Sequence, residues 1–149
     1  HGGLFHRLRS AFGQHLSPKD HLMYQGSCLC GAVTFTATAQ AKDPAACHCT
    51  QCRKQSGHYW AAMQVPDDAL TITGEVRWYE ASPIAKRGFC PTCGSFLFWK
   101  GHAEDDTGVA LGALDGPTGL KLERHIFTAD KGDYYDITDT VRQEEQEDE

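Results

Sequence analysis

The chain has 149 residues and a mass of 16.4 kDa, with 40% hydrophobic and 23% charged residues. Those proportions suit a globular domain with a real core and argue against disorder. The net charge is −6, and Glu144, Glu145, Glu147, Asp148 and Glu149 supply five of the negatives. The mildly acidic body lacks the basic footprint of a nucleic-acid binder, so no nucleic-acid partner is expected. No apolar run approaches the roughly 20 residues that cross a bilayer, and no signal-peptide core follows the start, so no transmembrane segment and a cytoplasmic location are expected.

In chain order, His1–Gly3 reads as the remnant of a tag and carries no weight in the fold. Leu4, Leu8, Phe12 and Leu16 recur every four positions, one stripe of a short amphipathic helix that Ser17-Pro18 ends. Residues 1–23 are therefore expected to form an N-terminal arm. From Tyr24 the pattern turns to β. Val33 and Phe35 alternate with threonines, a half-buried strand, and Lys42-Asp43-Pro44 is expected to turn the chain back. His58 to Val65 reads as a strand closed by Pro66-Asp67-Asp68. Leu70 to Thr73 and Val76 to Tyr79 flank Gly74-Glu75 as a hairpin. Strands at Ile84 to Phe89 and Ser95 to Trp99 enclose Cys90-Pro-Thr-Cys93-Gly94, and Val109 to Leu114, Arg124 to Thr128 and Tyr134 to Ile137 complete the set. The fold class is mainly β, one domain over 24–140, with an acidic solvated tail over 141–149.

Seven cysteines in three clusters dominate the chemistry: Cys28 and Cys30; Cys47, Cys49 and Cys52; Cys90 and Cys93. An odd number without a secretory signal argues against a disulfide framework, and clustered soft thiolates favour zinc. A structural zinc takes four ligands in a closed tetrahedron, whereas a catalytic one keeps a position open. The seven therefore divide into four plus three, although other partitions remain formally open. Cys28, Cys30, Cys90 and Cys93 make a staple between sheets. Cys47 and Cys49 share a face at strand spacing, and Cys52 follows on a short helix that Thr50 caps. Alternation points the His48 ring away from that metal; His58, His102 and His125 stay open as distant fourth ligands.

Gly26-Ser-Cys28-Leu-Cys30-Gly-Ala-Val33, Cys47-His-Cys49-Thr-Gln-Cys52-Arg-Lys-Gln-Ser-Gly57 and Gly88-Phe-Cys90-Pro-Thr-Cys93-Gly94 together resemble the glutathione-dependent formaldehyde-activating enzyme family, which is grouped with centromere protein V. The stretch His125-Ile-Phe-Thr-Ala-Asp-Lys131 resembles that family's C-terminal strand. The resemblance runs from about Tyr24 to Ile137. It implies a zinc-bearing β-tent of several coiled antiparallel sheets, with two zincs per chain. It implies a structural zinc on Cys28, Cys30, Cys90 and Cys93 and a catalytic one on Cys47, Cys49 and Cys52. The implied activity is of carbon–sulfur lyase type, on the adduct of glutathione and formaldehyde.

An open zinc position among three thiolates suits a soft sulfur ligand, whose anion the metal charge favours. Three thiolates also weaken the ion as a Lewis acid, so thiol capture is easier to support than carbonyl polarisation. His48 and His58 are candidates for proton transfer, and Arg53 and Lys54 for pairing with a substrate carboxylate. Tyr59, Trp60, Trp78 and Trp99 read as core rather than as a platform for substrate. The alternative function is a non-catalytic, zinc-stabilised module that binds glutathione or a protein. A thiol–disulfide or methionine-sulfoxide reductase is a third reading, and it requires free redox thiols. The oligomeric state is not legible in the sequence.

Overall fold

A computed structural model describes residues 23–147. The helix expected over Leu4–Leu16 lies outside them. The described chain is mainly β, as expected, and forms two sheets. Strands β1 (Tyr24–Ser27), β2 (Thr34–Ala37) and β5 (Leu70–Thr73) make a three-stranded antiparallel sheet. The larger sheet takes β3 (Lys42–Cys47), β4 (Trp60–Pro66), β6 (Arg77–Glu80), β7 (Ala85–Phe89), β8 (Phe96–Gly101), β9 (Asp106–Ala110), β10 (Arg124–Ile126) and β11 (Arg142–Gln143). Its order is β11-β10-β3-β4-β9-β8-β7-β6. One helix of the described residues, α1 (Thr50–Ser56), joins β3 to β4. None is long and apolar enough to cross a membrane.

Alternation gives the large sheet two working faces. Met63 and Val65 on β4, Phe98 on β8 and Val109 on β9 are fully buried in one core with Val33, Phe35 and Ala37 of the small sheet. The rings of Phe35 and Phe98 meet edge-on at 5.4 Å, joining the sheets. Burying side chains of this size stabilises by about 1.5–3 kcal/mol each. The alternate residues, among them Trp60, Ala62 and Gln64 on β4 and Trp99 on β8, point to the other face, where a cleft lies.

Five expectations change. Lys42-Asp43-Pro44 is no turn but part of β3, irregular where the register shifts between Lys42 and Ala45. Asp43 adopts φ 51 there, a conformation aspartate tolerates, and Arg124 clamps its carboxylate through Nε at 2.8 Å and Nη2 at 2.6 Å. The segments around Gly74 do not pair as a hairpin, for β5 and β6 belong to different sheets. Gly74 has φ 102, and a Cβ there would sit 2.1 Å from the Ala32 carbonyl oxygen, so the chain crosses between sheets by this close approach.

Tyr134–Ile137 is not a strand; its rings pack on histidines near α1, and β11 takes the place beside β10. Nor is the acidic end simply solvated. Glu144 is only 5% exposed, accepts from Arg124 Nη1 at 3.0 Å and pairs with Arg142 at 2.8 Å. Backbone hydrogen bonds from Phe127, Thr128 and Ala129 hold Gln146, Glu144 and Glu145. Finally, β10 runs parallel to both β3 and β11, so the large sheet is mixed rather than wholly antiparallel.

Candidate metal centre

Cys28 follows β1 of the small sheet and Cys90 follows β7 of the large one, so the first group of thiols spans the two sheets. The sulfurs of Cys28, Cys30, Cys90 and Cys93 all lie within 4.8 Å of one another. Cys28 and Cys30 are 3.6 Å apart, and Cys30 and Cys90 3.7 Å. Four sulfurs at about 2.3 Å from one ion in a tetrahedron stand about 3.8 Å apart, so the donor set fits zinc. It does not fit disulfides, and all seven cysteines are free. The second knuckle is shaped by Gly94, whose φ of 81 lets its N–H reach the Cys90 carbonyl at 2.8 Å. Val33 N–H donates to Cys28 Sγ at 3.3 Å, and Ser95 Oγ lies 3.2 Å from Cys93 Sγ.

The second group stands at the junction of β3 and α1. Cys47 ends the strand, Cys49 caps the helix and Cys52 lies buried in its first turn. The helix cap is Cys49, whose sulfur accepts from Cys52 N–H at 3.3 Å, and not Thr50 as the sequence suggests. The three sulfurs lie within 4.8 Å of one another, and no histidine, aspartate or glutamate of the described residues completes the group. Their ionisation is divided. Hydrogen bonds from Cys47 and Cys52 hold the Cys49 thiol far below its ordinary value. Cys49, Cys52 and burial push Cys47 well up. Cys47 favours the Cys52 thiolate, but Cys49 and burial outweigh it and push that thiol up to about 11. Without a cation the cluster therefore favours one thiolate, and a metal bound by all three must displace protons.

Of the histidines expected as remote ligands, His102 and His125 are hydrogen-bonded elsewhere. His102 pairs with Glu80 at 2.7 Å. His48 is fully buried, and its Nε2 lies 2.9 Å from His125 Nδ1, while its Nδ1 bonds the Tyr135 hydroxyl. His125 Nε2 in turn reaches Asp139 at 3.0 Å. Every contact has a donor when His125 Nε2–H donates to Asp139, His48 Nε2–H to His125 and the Tyr135 hydroxyl to His48. Burial, then His125, lowers His48 to about 4, so its ring is neutral near pH 7. His58 is exposed, its ring 4.2 Å from that of Tyr135.

Cys47, Cys49 and Cys52 line a cleft of about 760 Å³ on the outer face of the large sheet. Trp60 is buried in a small core cluster that Trp99 packs against, as expected, and both also form part of the cleft wall, with Trp60 stacked on Phe96 at 4.1 Å. Its charged lining is Asp43, Glu104, Asp106, Asp130 and Glu147 with Arg87 and Arg124. Arg53 and Lys54 are not in that lining. Lys54 borders a second groove of about 520 Å³ with Arg77, Trp78 and Tyr79. Arg53 Nε is buried without a hydrogen-bond partner. Arg87, Tyr135 and Asp139 were not singled out for the second group by sequence reasoning, and His125, held open there as a distant ligand, instead bridges His48 and Asp139. Only strand alternation, which sets Arg87 on the face of Ala85, carried a signal.

A sequence profile described as glutathione-dependent formaldehyde-activating enzyme matches residues 23–130. The chain belongs to that family. An uncharacterized lyase of Schizosaccharomyces pombe is 26% identical over 116 residues, covering 76% of this chain and 85% of its own length. A crystal structure of a Rhodobacter sphaeroides protein shares the fold with a TM-score of 0.54 at 24% identity, over 62% of this chain and 89% of that one. Family membership and the lyase relative support a formaldehyde-activating or lyase-like function, and the two thiol groups are ones that can hold metal.

Proposed function

We propose that the protein is a zinc-dependent enzyme of carbon–sulfur lyase type, acting on the adduct of a small thiol such as glutathione with formaldehyde. The observation that carries this reading is the second thiol group: three sulfurs, no fourth described protein donor, and a cleft at their side. In it Cys28, Cys30, Cys90 and Cys93 hold a structural zinc, and Cys47, Cys49 and Cys52 a second one. Bound there, zinc supplies positive charge that favours the thiolate form of an incoming sulfur.

In the lyase direction the adduct hydroxyl loses its proton, the carbon–oxygen double bond of formaldehyde forms, and the carbon–sulfur bond breaks with its electron pair going to sulfur. That sulfur then takes a proton to leave as thiol. His58, exposed after α1, is the proton carrier in this reading. His48, closed off from solvent, positions Cys47 and Cys49 instead. Arg53 and Lys54, neither of which lines the cleft, are left without a substrate contact in this reading. The cytoplasmic location expected for free thiols accompanies this reading.

The test is exchange between free formaldehyde and its glutathione adduct, followed by NMR with zinc-loaded protein. Cys49→Ser is expected to lower the catalysed exchange by at least about 100-fold, since loss of mere supporting contacts at metal sites already costs 10–100-fold. An unchanged rate in that folded variant sinks the reading. Saturable glutathione binding without faster exchange in the wild type would replace it with the non-catalytic binding module.

A further inference from the structure

Arg87 lies in the middle of β7, points to the cleft face and is only 4% exposed. Its Nη1 donates to Cys52 Sγ at 3.5 Å and to the Gln55 side-chain oxygen at 3.3 Å, and its guanidinium lies 5.4 Å over the Phe96 ring. Its Nε has no hydrogen-bond partner. No aspartate or glutamate of the described residues forms an ion pair with it, whereas Arg124, the other arginine of the cleft, is paired with Asp43 and Glu144. A guanidinium is charged at any pH a protein survives, and burying such a cation without a counter-charge costs several kcal/mol. The acidic side chain in contact with it is the Cys52 thiol of the second group.

From this we infer that Arg87 is a positioning residue of the three-thiol centre: its fixed charge compensates the thiolates and lets the open position accept an anionic sulfur ligand. The inference rests on the open-site reading above. Three thiolates on a divalent ion sum to one negative charge, and Arg87 brings the buried centre to neutrality. A fourth thiolate then enters a neutral centre instead of one already negative. In a partly buried site, unit charges a few ångströms apart interact strongly enough to change binding at least about tenfold. The contact through Cys52 also holds that sulfur from the β7 side, with the Gln55 side-chain oxygen steadying the guanidinium.

The experiment uses the full chain loaded with cobalt(II), whose visible spectrum changes when a ligand enters the coordination sphere. Two probes are titrated: 2-mercaptoethanol, which binds as an anion, and imidazole, which binds neutral. Arg87→Met is expected to weaken 2-mercaptoethanol at least about tenfold and imidazole by less than about threefold, while Arg87→Lys keeps both within about threefold of wild type. Equal loss of both probes in Arg87→Met assigns a merely structural role and overturns the inference. So does unchanged thiol binding, or an equal selective loss in Arg87→Lys. Should Arg87→Met not load the second cobalt, wild-type loading of Arg87→Lys upholds the role of charge and failed loading overturns it. A wild-type protein whose spectrum responds to neither probe refutes the open-site reading itself, a result distinct from any failure of Arg87.

Discussion

The two thiol groups share a donor chemistry and differ in almost everything around it. Cys28, Cys30, Cys90 and Cys93 sit where β1 and β7 end, link the two sheets and are complete as a tetrahedral set. Cys47, Cys49 and Cys52 occupy a strand–helix junction, lack a fourth described donor and face the cleft. Only the second is backed by a buried cation and by a chain from Tyr135 through His48 and His125 to Asp139. Ligand type alone therefore does not decide what such a group does; the missing ligand and the neighbours that hold the remaining three do. Each group should fail in its own way.

The largest effect is expected at the closed group. Cys90→Ser removes a fully buried sulfur that ties the large sheet to the small one, and metal bound there contributes folding free energy directly. The thermal midpoint should fall by roughly 10 °C or more, as a loss of a few kcal/mol does in a domain of this size. Thermal melting of zinc-loaded protein checks this. A drop no larger than that of Cys49→Ser would erase the distinction between structural and functional groups. Metal removal gives the next test. A chelator titration followed by native mass spectrometry should proceed in two stages, one ion leaving before the sheets loosen, because three protein ligands hold less firmly than four. Loss of both ions in one step would mean that the sites are not independent.

A smaller effect is expected from His48→Gln. The ring touches no metal in this arrangement, yet it joins the Cys47–Cys49 segment to Tyr135 and His125. Zinc affinity at the second group should weaken about tenfold, in the range of other supporting contacts, with the first group unchanged. Competition with a chromogenic chelator measures both; equal weakening at the two groups would assign His48 to the fold rather than to the site.

Much of this was legible in the sequence for a physical reason. Metal ligands must converge, and short spacings force convergence, so the clusters at Cys28, Cys47 and Cys90 announce themselves. The alternation around Val33 and Phe35 likewise declares a buried face. Partnership between distant segments has no such signature. Nothing local shows that β5 and β6 lie in different sheets, that Glu144 folds back onto Arg124, or that Arg87 reaches Cys52. The helix at Thr50 was visible, but its cap was misplaced by one residue because a cysteine is a rare cap and Thr50 a common one. His48 illustrates the same limit. Its direction away from the metal follows from alternation, while its burial with Tyr135 depends on a loop some ninety residues on.

The smallest effect concerns the scaffold that both groups share. Asp67, after β4, accepts from Lys100 of β8 and from Thr107 of β9 at 2.6 Å, which clasps the large sheet at the end of three strands. Burial tends to raise its carboxyl, but the bonds from Lys100 and Thr107 outweigh it and hold the group below its ordinary value of 3.8. A depressed folded value means that the clasp is fully stabilising above about pH 4 and is lost as pH falls through that lower value. The side chain is 44% exposed, so the contribution is discounted to about 0.5 kcal/mol. Urea unfolding of wild type and Asp67→Asn should therefore differ by about that amount at pH 6. The gap should close in acid. Metal loss in acid affects both proteins alike and cancels in the difference, provided the clasp is distant from the thiols energetically. A gap that closes with zinc release, at a pH where the carboxylate is still ionised, would show that the clasp and the thiol groups are coupled.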